Sequence, residues 1–417
     1  MASIYLLIGS LFSPIIGLFT LFLNIKKYVP SKITVVLLSL ILSIIGIYWF
    51  PWGDAQTHFY IYRSDSIALY FNFSQSVALS AYWIYDLVIY YIASITGNYV
   101  WGYWFWLFVP LAIYAYSVWG TFLKNKNDIT GYTYLFILLF IIIGIREFLD
   151  LNRSTAAALI MIGGIIINDK KWLNRLVFVL MLVVSFLLHD MIKGIILLLP
   201  IFYFIQNKVK RSYIWMLVAF IFMCCSVLIR TVVLPLILSE RNAEMYLEGV
   251  WGDGNGVQSG FMFICGWLDV IIFIIIFIFI VKNIHNIHNS LLLSLFLCSS
   301  IVVFACFGLW TIRERFVIFS IIAGTALIIT EWSHLLFNRF NVVKFMILLS
   351  ILRLTLILML HYSSLYIHKS ASNDPNMSVS ITTRFIYTPT PLLLDVNNLG
   401  YSDKMYNKLY DRAHYGE

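Results

Sequence analysis

Apolar residues in this chain do not alternate as in a half-buried strand. They come in near-unbroken runs, such as Ile4 to Leu23, Ile33 to Phe50 and Phe261 to Val281. Each run approaches the ~20 residues that carry a helix across about 30 Å of hydrocarbon. Lipid offers the backbone no hydrogen-bond partner, so runs of this kind predict helices. Polar turns divide them into spans near 4–23, 33–50, 100–122, 131–146, 153–168, 174–190, 194–206, 213–237, 260–281, 289–309, 316–334 and 342–361. The pattern predicts an all-α polytopic integral membrane protein with about twelve transmembrane helices. The first run has no basic residue before it and no small-residue cleavage site after it, so it reads as a retained span rather than a signal peptide.

One apolar segment fits less well. Residues 80–94 (SAYWIYDLVIYYIAS) are short and carry Asp86 at their middle. Counting this segment as a crossing would reverse the side of every later turn, so it reads as a re-entrant or interfacial helix near 80–94.

Composition strengthens the membrane reading. The 417 residues are 61% hydrophobic and 12% charged, with a mean hydropathy of +0.88, against roughly 25% charged residues in a soluble domain. The formal charge of +8 is spread singly or in pairs between apolar runs, which points to topology and anionic lipid rather than to nucleic acid. Lysines follow alternate spans, at Lys26, Lys27, Lys32, Lys124, Lys126, Lys170, Lys171, Lys208, Lys210, Lys282 and Lys344. The positive-inside rule makes those turns cytoplasmic. It leaves both termini outside, external loops at 51–99 and 238–259, a multi-span domain over 1–361, and an external tail over 362–417. All five cysteines lie within apolar runs and none has metal-ligand spacing with a histidine, so neither a disulfide framework nor a zinc site is expected.

Arginine is distributed differently from lysine. Arg63, Arg146, Arg153, Arg230, Arg241, Arg313, Arg315 and Arg353 all fall at the non-cytoplasmic ends, where Lys193 is the accompanying lysine. A guanidinium grips phosphate through two parallel bonds, so the bias suggests a phosphate-bearing ligand outside. The competing explanation is local pairing with carboxylates, as Arg146 could achieve with Asp150 four residues on. Four clusters bear on the choice. IREFLDLNRST brings together Arg146, Asn152 and Arg153, with Asn152 also a plausible N-cap. LLHDMIKG places His189 and Lys193 on one helix face with Asp190 beside them, a base or ligand-orienting group unless the histidine is simply buried. WTIRERF carries Arg313 and Arg315, which as i and i+2 cannot share a regular helix face. PWGDAQTHFYIYRSDS collects Asp54, His58, Arg63 and Asp65. The aromatics Trp49, Trp52, Trp83, Tyr99, Trp101, Tyr103, Trp104 and Trp106 suit an interfacial belt, some of them able to stack on sugar rings.

In their order, GDAQTHFY (with Asp54 and Tyr60), LNRSTAAALIM (Arg153), SFLLHDMIKGIILLLP (His189) and RERFVIFSI (Arg313, Arg315) resemble the EpsG/Wzy type of polysaccharide and O-antigen polymerases over roughly residues 45–330. Such enzymes are similar to type C glycosyltransferases. The resemblance implies a bacterial inner-membrane enzyme with its active site facing the periplasm or exterior. It implies a donor glycan on undecaprenyl pyrophosphate, a lipid-linked repeat unit as acceptor, no cofactor or metal, and a chain-length regulator as a further protein partner. It implies Asp54 and His189 as candidates for the base and Arg153, Arg313 and Arg315 as pyrophosphate ligands; the charge clusters themselves add Arg63, Asp65, Arg146, Asn152, Asp190, Lys193 and Arg230 as further candidate substrate contacts. The alternatives are a flippase for lipid-linked sugars and another membrane transferase such as an O-acyltransferase.

Overall fold

The computed structural model describes residues 1–48, 83–96, 100–125, 131–144, 148, 152–169, 171–237, 247, 260–335, 339–372, 386 and 388–394. The expected sites Asp54, Arg63, Asp65 and Arg146 lie outside the described residues. Helices follow one another as α1 (Ala2–Phe12), α2 (Pro14–Asn24), α3 (Lys32–Ile47), α4 (Trp83–Thr96), α5 (Val100–Lys124), α6 (Tyr132–Ile141), α7 (Asn152–Ile167), α8 (Trp172–Leu188) and α9 (Asp190–Lys208). Then come α10 (Ser212–Cys224), α11 (Ser226–Leu236), α12 (Gly260–Lys282), α13 (Ser290–Ala305), α14 (Trp310–Thr330), α15 (Arg339–Ser372) and the single turn α16 (Thr390–Leu393). No strand occurs among the described residues.

Among the described residues, four helices are long and apolar enough to cross a membrane: α5, α9, α12 over Phe263–Lys282 and α15 over Arg339–Met359. The pair α10 and α11, bent by 52° at Cys225, makes a fifth if read as one broken span. The remaining apolar helices are shorter. Burial is arranged for lipid rather than for water. In α14 every residue from Val317 to Thr330 is buried, and in α13 every residue from Leu292 to Ile301, with Ser299 and Ser320 hydrogen-bonded between them at 2.8 Å. The outward faces of α8, α9 and α10 present Leu176, Val179, Leu180, Leu197, Ile201, Phe204, Leu217 and Phe220 to the surroundings. A continuous apolar exterior over a core that holds serines and threonines is untenable in water and ordinary in a bilayer.

The first expected span is not a span. Residues 4–23 divide at Ser13, which is extended (φ −167°, ψ 161°), into α1 and α2. Pro14 causes the break, because its ring disfavours the helical region for the residue before it. Ser13 accepts a hydrogen bond from the Ile16 N–H at 3.1 Å, and Pro14 occupies the first turn, where no N–H is needed. The two helices fold back on one another. A Cβ on Gly9 would come within 2.8 Å of the Gly17 Cα, so small residues set the approach. Eleven residues give only about 16 Å of helix, half the hydrocarbon thickness. The hairpin therefore returns the chain to the end it started from. Ser3 Oγ lies 2.8 Å from Thr34 Oγ1 in the cap of α3, and the rings of Tyr5 and Tyr28 stack at 6.0 Å. The N-terminus thus sits beside Lys26, Lys27 and Lys32 rather than at the opposite end.

The ends bearing lysine are tied together. Trp119 Nε1 donates to the Pro30 carbonyl at 2.8 Å, Tyr132 Oη to Ile25 at 2.7 Å and Asn125 Nδ2 to Thr330 at 3.2 Å. Gly131, in the left-handed region at φ +80°, starts α6 against Phe340 at the start of α15. The segment expected at 80–94 is α4, which folds against the first half of α5 where Gly102 lets the Ile89 backbone approach. At the C-terminal side α15 continues to Ser372, past the expected boundary at 361. Tyr48 donates to the Leu393 carbonyl, so α16 docks where α3 ends.

Candidate functional site

At the ends opposite the lysine turns, α4, α5 and α7 lock around one amide. Asn152, the first residue of α7, accepts from Tyr85 Oη at 2.9 Å through Oδ1 and donates through Nδ2 to the carbonyls of Phe148 at 3.1 Å and Trp106 at 3.4 Å. Trp106 Nε1 donates back to the Tyr85 carbonyl at 3.2 Å, and the two rings stack at 5.4 Å. Asn152 therefore has both ends of its amide engaged by protein, which suits a residue that positions its neighbours more than one that contacts substrate. The next residue, half-buried Arg153, lies with its guanidinium 6.0 Å from the Tyr85 ring centre.

His189 is the single residue between α8 and α9, and it is buried. Its extended backbone (φ −156°, ψ 135°) ends one helix and caps the next: Nδ1 accepts from the Met191 N–H at 3.1 Å. Burial first, then the charges of Arg315, Arg153 and Lys193, push the imidazole well below the usual histidine range. A neutral ring whose Nδ1 accepts carries its proton on Nε2. Lys193 is also drawn to Asp190 at 2.5 Å, both side chains being partly exposed.

The expected arginines separate into two groups. α14 is a regular helix, so Arg313 and Arg315 take different directions, as their spacing requires. Arg315 bears on His189 together with Arg153. Arg313 instead lies among the rings of Trp267 (5.1 Å), Phe307 (5.3 Å) and Trp310 (4.7 Å), and donates to the Phe307 carbonyl at 3.0 Å. Its expected place beside Arg315 on one diphosphate is not what the structure has. Arg230 lies on a π turn (Ile229–Val233) of α11 and donates to the Leu247 carbonyl at 2.7 Å, holding that residue against Leu309. Arg353, counted among the outward arginines, is wholly buried against Asp269 and donates to the Ile142 carbonyl at 2.7 Å. For Arg353 pairing with a carboxylate is the explanation, but the partner stands 84 residues away rather than one helical turn.

Tyr85, Asp86 and Trp106 join the site without having been singled out as its residues. Asp86 is buried and lies close enough to Tyr85 to interact with it electrostatically. A carboxylate within an apolar segment is costly unless it is used, and that was the signal available at Asp86. Trp106 sits among so many aromatic neighbours that composition assigns it to a belt. No protein-family model, curated protein or solved structure matches this chain.

Proposed function

We propose that the chain is a membrane transferase acting on lipid-linked diphosphate sugars, and specifically a polymerase that joins undecaprenyl-pyrophosphate-linked repeat units outside the cytoplasm. The observation that carries the reading is buried His189 between α8 and α9, with the charges of Arg315, Arg153 and Lys193 near enough to bear on its ring. Two guanidinium groups beside one neutral donor, with Lys193 held by Asp190 at the edge, suit an anion in a poorly screened place. In the reaction the acceptor hydroxyl forms a bond to the anomeric carbon, the bond to pyrophosphate breaks, and undecaprenyl pyrophosphate leaves with the growing charge. Arg153 and Arg315 neutralise that charge, and His189 donates from Nε2. The hydroxyl proton goes to a carboxylate, for which Asp54 is the candidate.

The same reading sets the topology. With the lysine turns cytoplasmic and the first hairpin returning to its own side, the N-terminus is cytoplasmic. The crossings fall to about eleven, and the C-terminal tail remains outside. The site then faces the periplasm of a bacterial inner membrane, with a chain-length regulator as a conceivable protein partner. A flippase would need charges lining a transmembrane path, whereas here the cations that bear on His189 gather at one end and the pair Asp269–Arg353 within α12 and α15 is sealed inside the protein.

Purified protein is to be incubated with lipid-linked repeat units, and the products separated by size. A ladder of longer glycans is the expected result. Transfer of a labelled lipid-linked sugar across a vesicle bilayer with no ladder would sink the polymerase and support the carrier.

A further inference from the structure

At the lysine end, away from the site above, two turns bring three metal-ligating side chains together. His288 follows the 3₁₀ turn after α12, Glu331 ends α14, and His334 lies in the 3₁₀ turn Trp332–His334. One ligand atom from each falls within 4.8 Å of the other two. The imidazoles are exposed, with ring centres 4.3 Å apart, and the carboxylate is buried beneath them.

We propose that His288, Glu331 and His334 form a site for a divalent transition cation, zinc foremost. The donor set decides the class. Two imidazoles and one carboxylate suit zinc, nickel or copper, while magnesium and calcium take oxygen ligands. Zinc holds such ligands at about 2.0–2.2 Å, which puts neighbouring donor atoms roughly 3.4 Å apart in a tetrahedron. The contact between His288 Nδ1 and Glu331 Oε2 is already 3.3 Å. His334 has only to close in by a side-chain rotation, which its exposure allows.

The carboxylate is also held in place by its own partners. Glu331 Oε1 accepts from the Asn289 N–H at 3.0 Å and Oε2 from the His288 N–H at 3.3 Å. Hydrogen bonds of this kind orient a metal-binding carboxylate and free no rotamer for it to lose. Arg339, the nearest arginine in sequence, is held off by donating to the Trp332 carbonyl at 2.6 Å and stacking on Trp332 and Phe340. Bound metal would staple the turn between α12 and α13 to the turn leaving α14. Three ligands leave a fourth position for water. The site shares no residue with the proposed transferase site, and either can fail alone.

The test uses the full, untagged chain in detergent micelles, stripped with chelator and titrated with zinc chloride by calorimetry. Binding of about one zinc per chain in the micromolar range or tighter is expected, with a rise of several degrees in melting temperature. His288→Ala and His334→Ala change exposed side chains and leave the backbone contacts of Glu331 in place. Each should weaken binding at least ten-fold. Zinc held only at millimolar concentration, or held as tightly by both variants as by the wild type, overturns the site. Should a variant fail to fold, cobalt(II) added to the wild type decides instead. Visible bands of an imidazole-ligated, low-coordinate ion support the site, and the spectrum of the hydrated ion overturns it.

Discussion

The proton position on His189 decides what this residue can do. Because Nδ1 accepts the Met191 N–H, the neutral ring offers a donor and has no second lone pair to receive a substrate proton. Asparagine can imitate this pattern, its Oδ1 capping and its Nδ2 donating, whereas alanine can do neither. His189→Asn should therefore keep much of the chain extension that His189→Ala loses, the latter by about ten- to ten-thousand-fold. Equal loss in both would restore the base role. The buried neutral ring also sets a pH dependence. Its folded pKa is depressed, so the unfolded chain binds the proton first as pH falls below about 6.5. The contribution is intact above that pH and is lost below it, by at most ~1.4 kcal/mol per pH unit. Melting temperatures of wild type and His189→Asn measured from pH 5 to 8 should diverge only at the acid end. Among the arginines, Arg153→Lys and Arg315→Lys should each lower turnover about ten- to a hundred-fold, since lysine cannot make the paired bonds a diphosphate accepts. Arg313→Lys should instead lower stability with turnover nearly unchanged, because its partners are three rings and a carbonyl of the protein. Wild-type turnover in all of the lysine variants would remove the phosphate grip. His189, Arg153 and Arg315 could be read from the sequence because ionisable residues at the ends of apolar runs are expensive to place there. The enclosure of Arg313 could not, since Phe307 and Trp310 are its near neighbours in the chain but Trp267 comes from α12, 46 residues away, and nothing local joins them.

Elements fail to follow the hydrophobic pattern where a local signal competes with it. Over residues 4–23 the run is long enough to span, yet Ser13-Pro14 sits inside it and ends the helix. Hydropathy weighs proline as one mildly polar residue, whereas the backbone treats it as a stop. The apolar segment 80–94 did mark a helix, and α4 packs against the first half of α5. The ion pair between α12 and α15 was not legible. Asp269 and Arg353 stand 84 residues apart, and nothing local joins them. Both are buried, so deleting one leaves the other as an uncompensated charge, a loss of about 3–5 kcal/mol. Asp269→Ala should accordingly destabilise the protein strongly in a denaturant titration in micelles. The double variant Asp269→Leu with Arg353→Met should recover most of the loss, since an apolar pair can replace a buried ion pair at little cost. A double variant no more stable than Asp269→Ala would mean that Arg353 is needed for its bond to Ile142 rather than for its charge.

For the whole molecule, the arrangement of charge and the fold of the first helices together predict which way the protein lies. The lysine turns meet at one end, tied by Trp119, Tyr132 and Asn125, and the cluster of His189, Arg153 and Arg315 gathers at the other. Treating 4–23 as a crossing would put Met1 at the end with His189. The hairpin puts it with Lys26 and Lys27, where Ser3 contacts the cap of α3. These alternatives differ in a measurable way, because a thiol reagent that cannot cross the membrane reaches only one face. In a cysteine-free background, single cysteines at Ser3 and Lys124 should be protected together in right-side-out vesicles and labelled together in inverted ones. A cysteine at Lys193 should behave oppositely. Lys193 is suited to this comparison because it is partly exposed and lies in the first turn of α9, one turn from the proposed site. Labelling of Ser3 and Lys193 from the same face, with Lys124 from the other, would mean that the first run crosses after all. Labelling of all three from one face would show that the lysine turns and the arginine cluster are not on opposite sides, and would undo the argument that the arginines meet a ligand outside the cell.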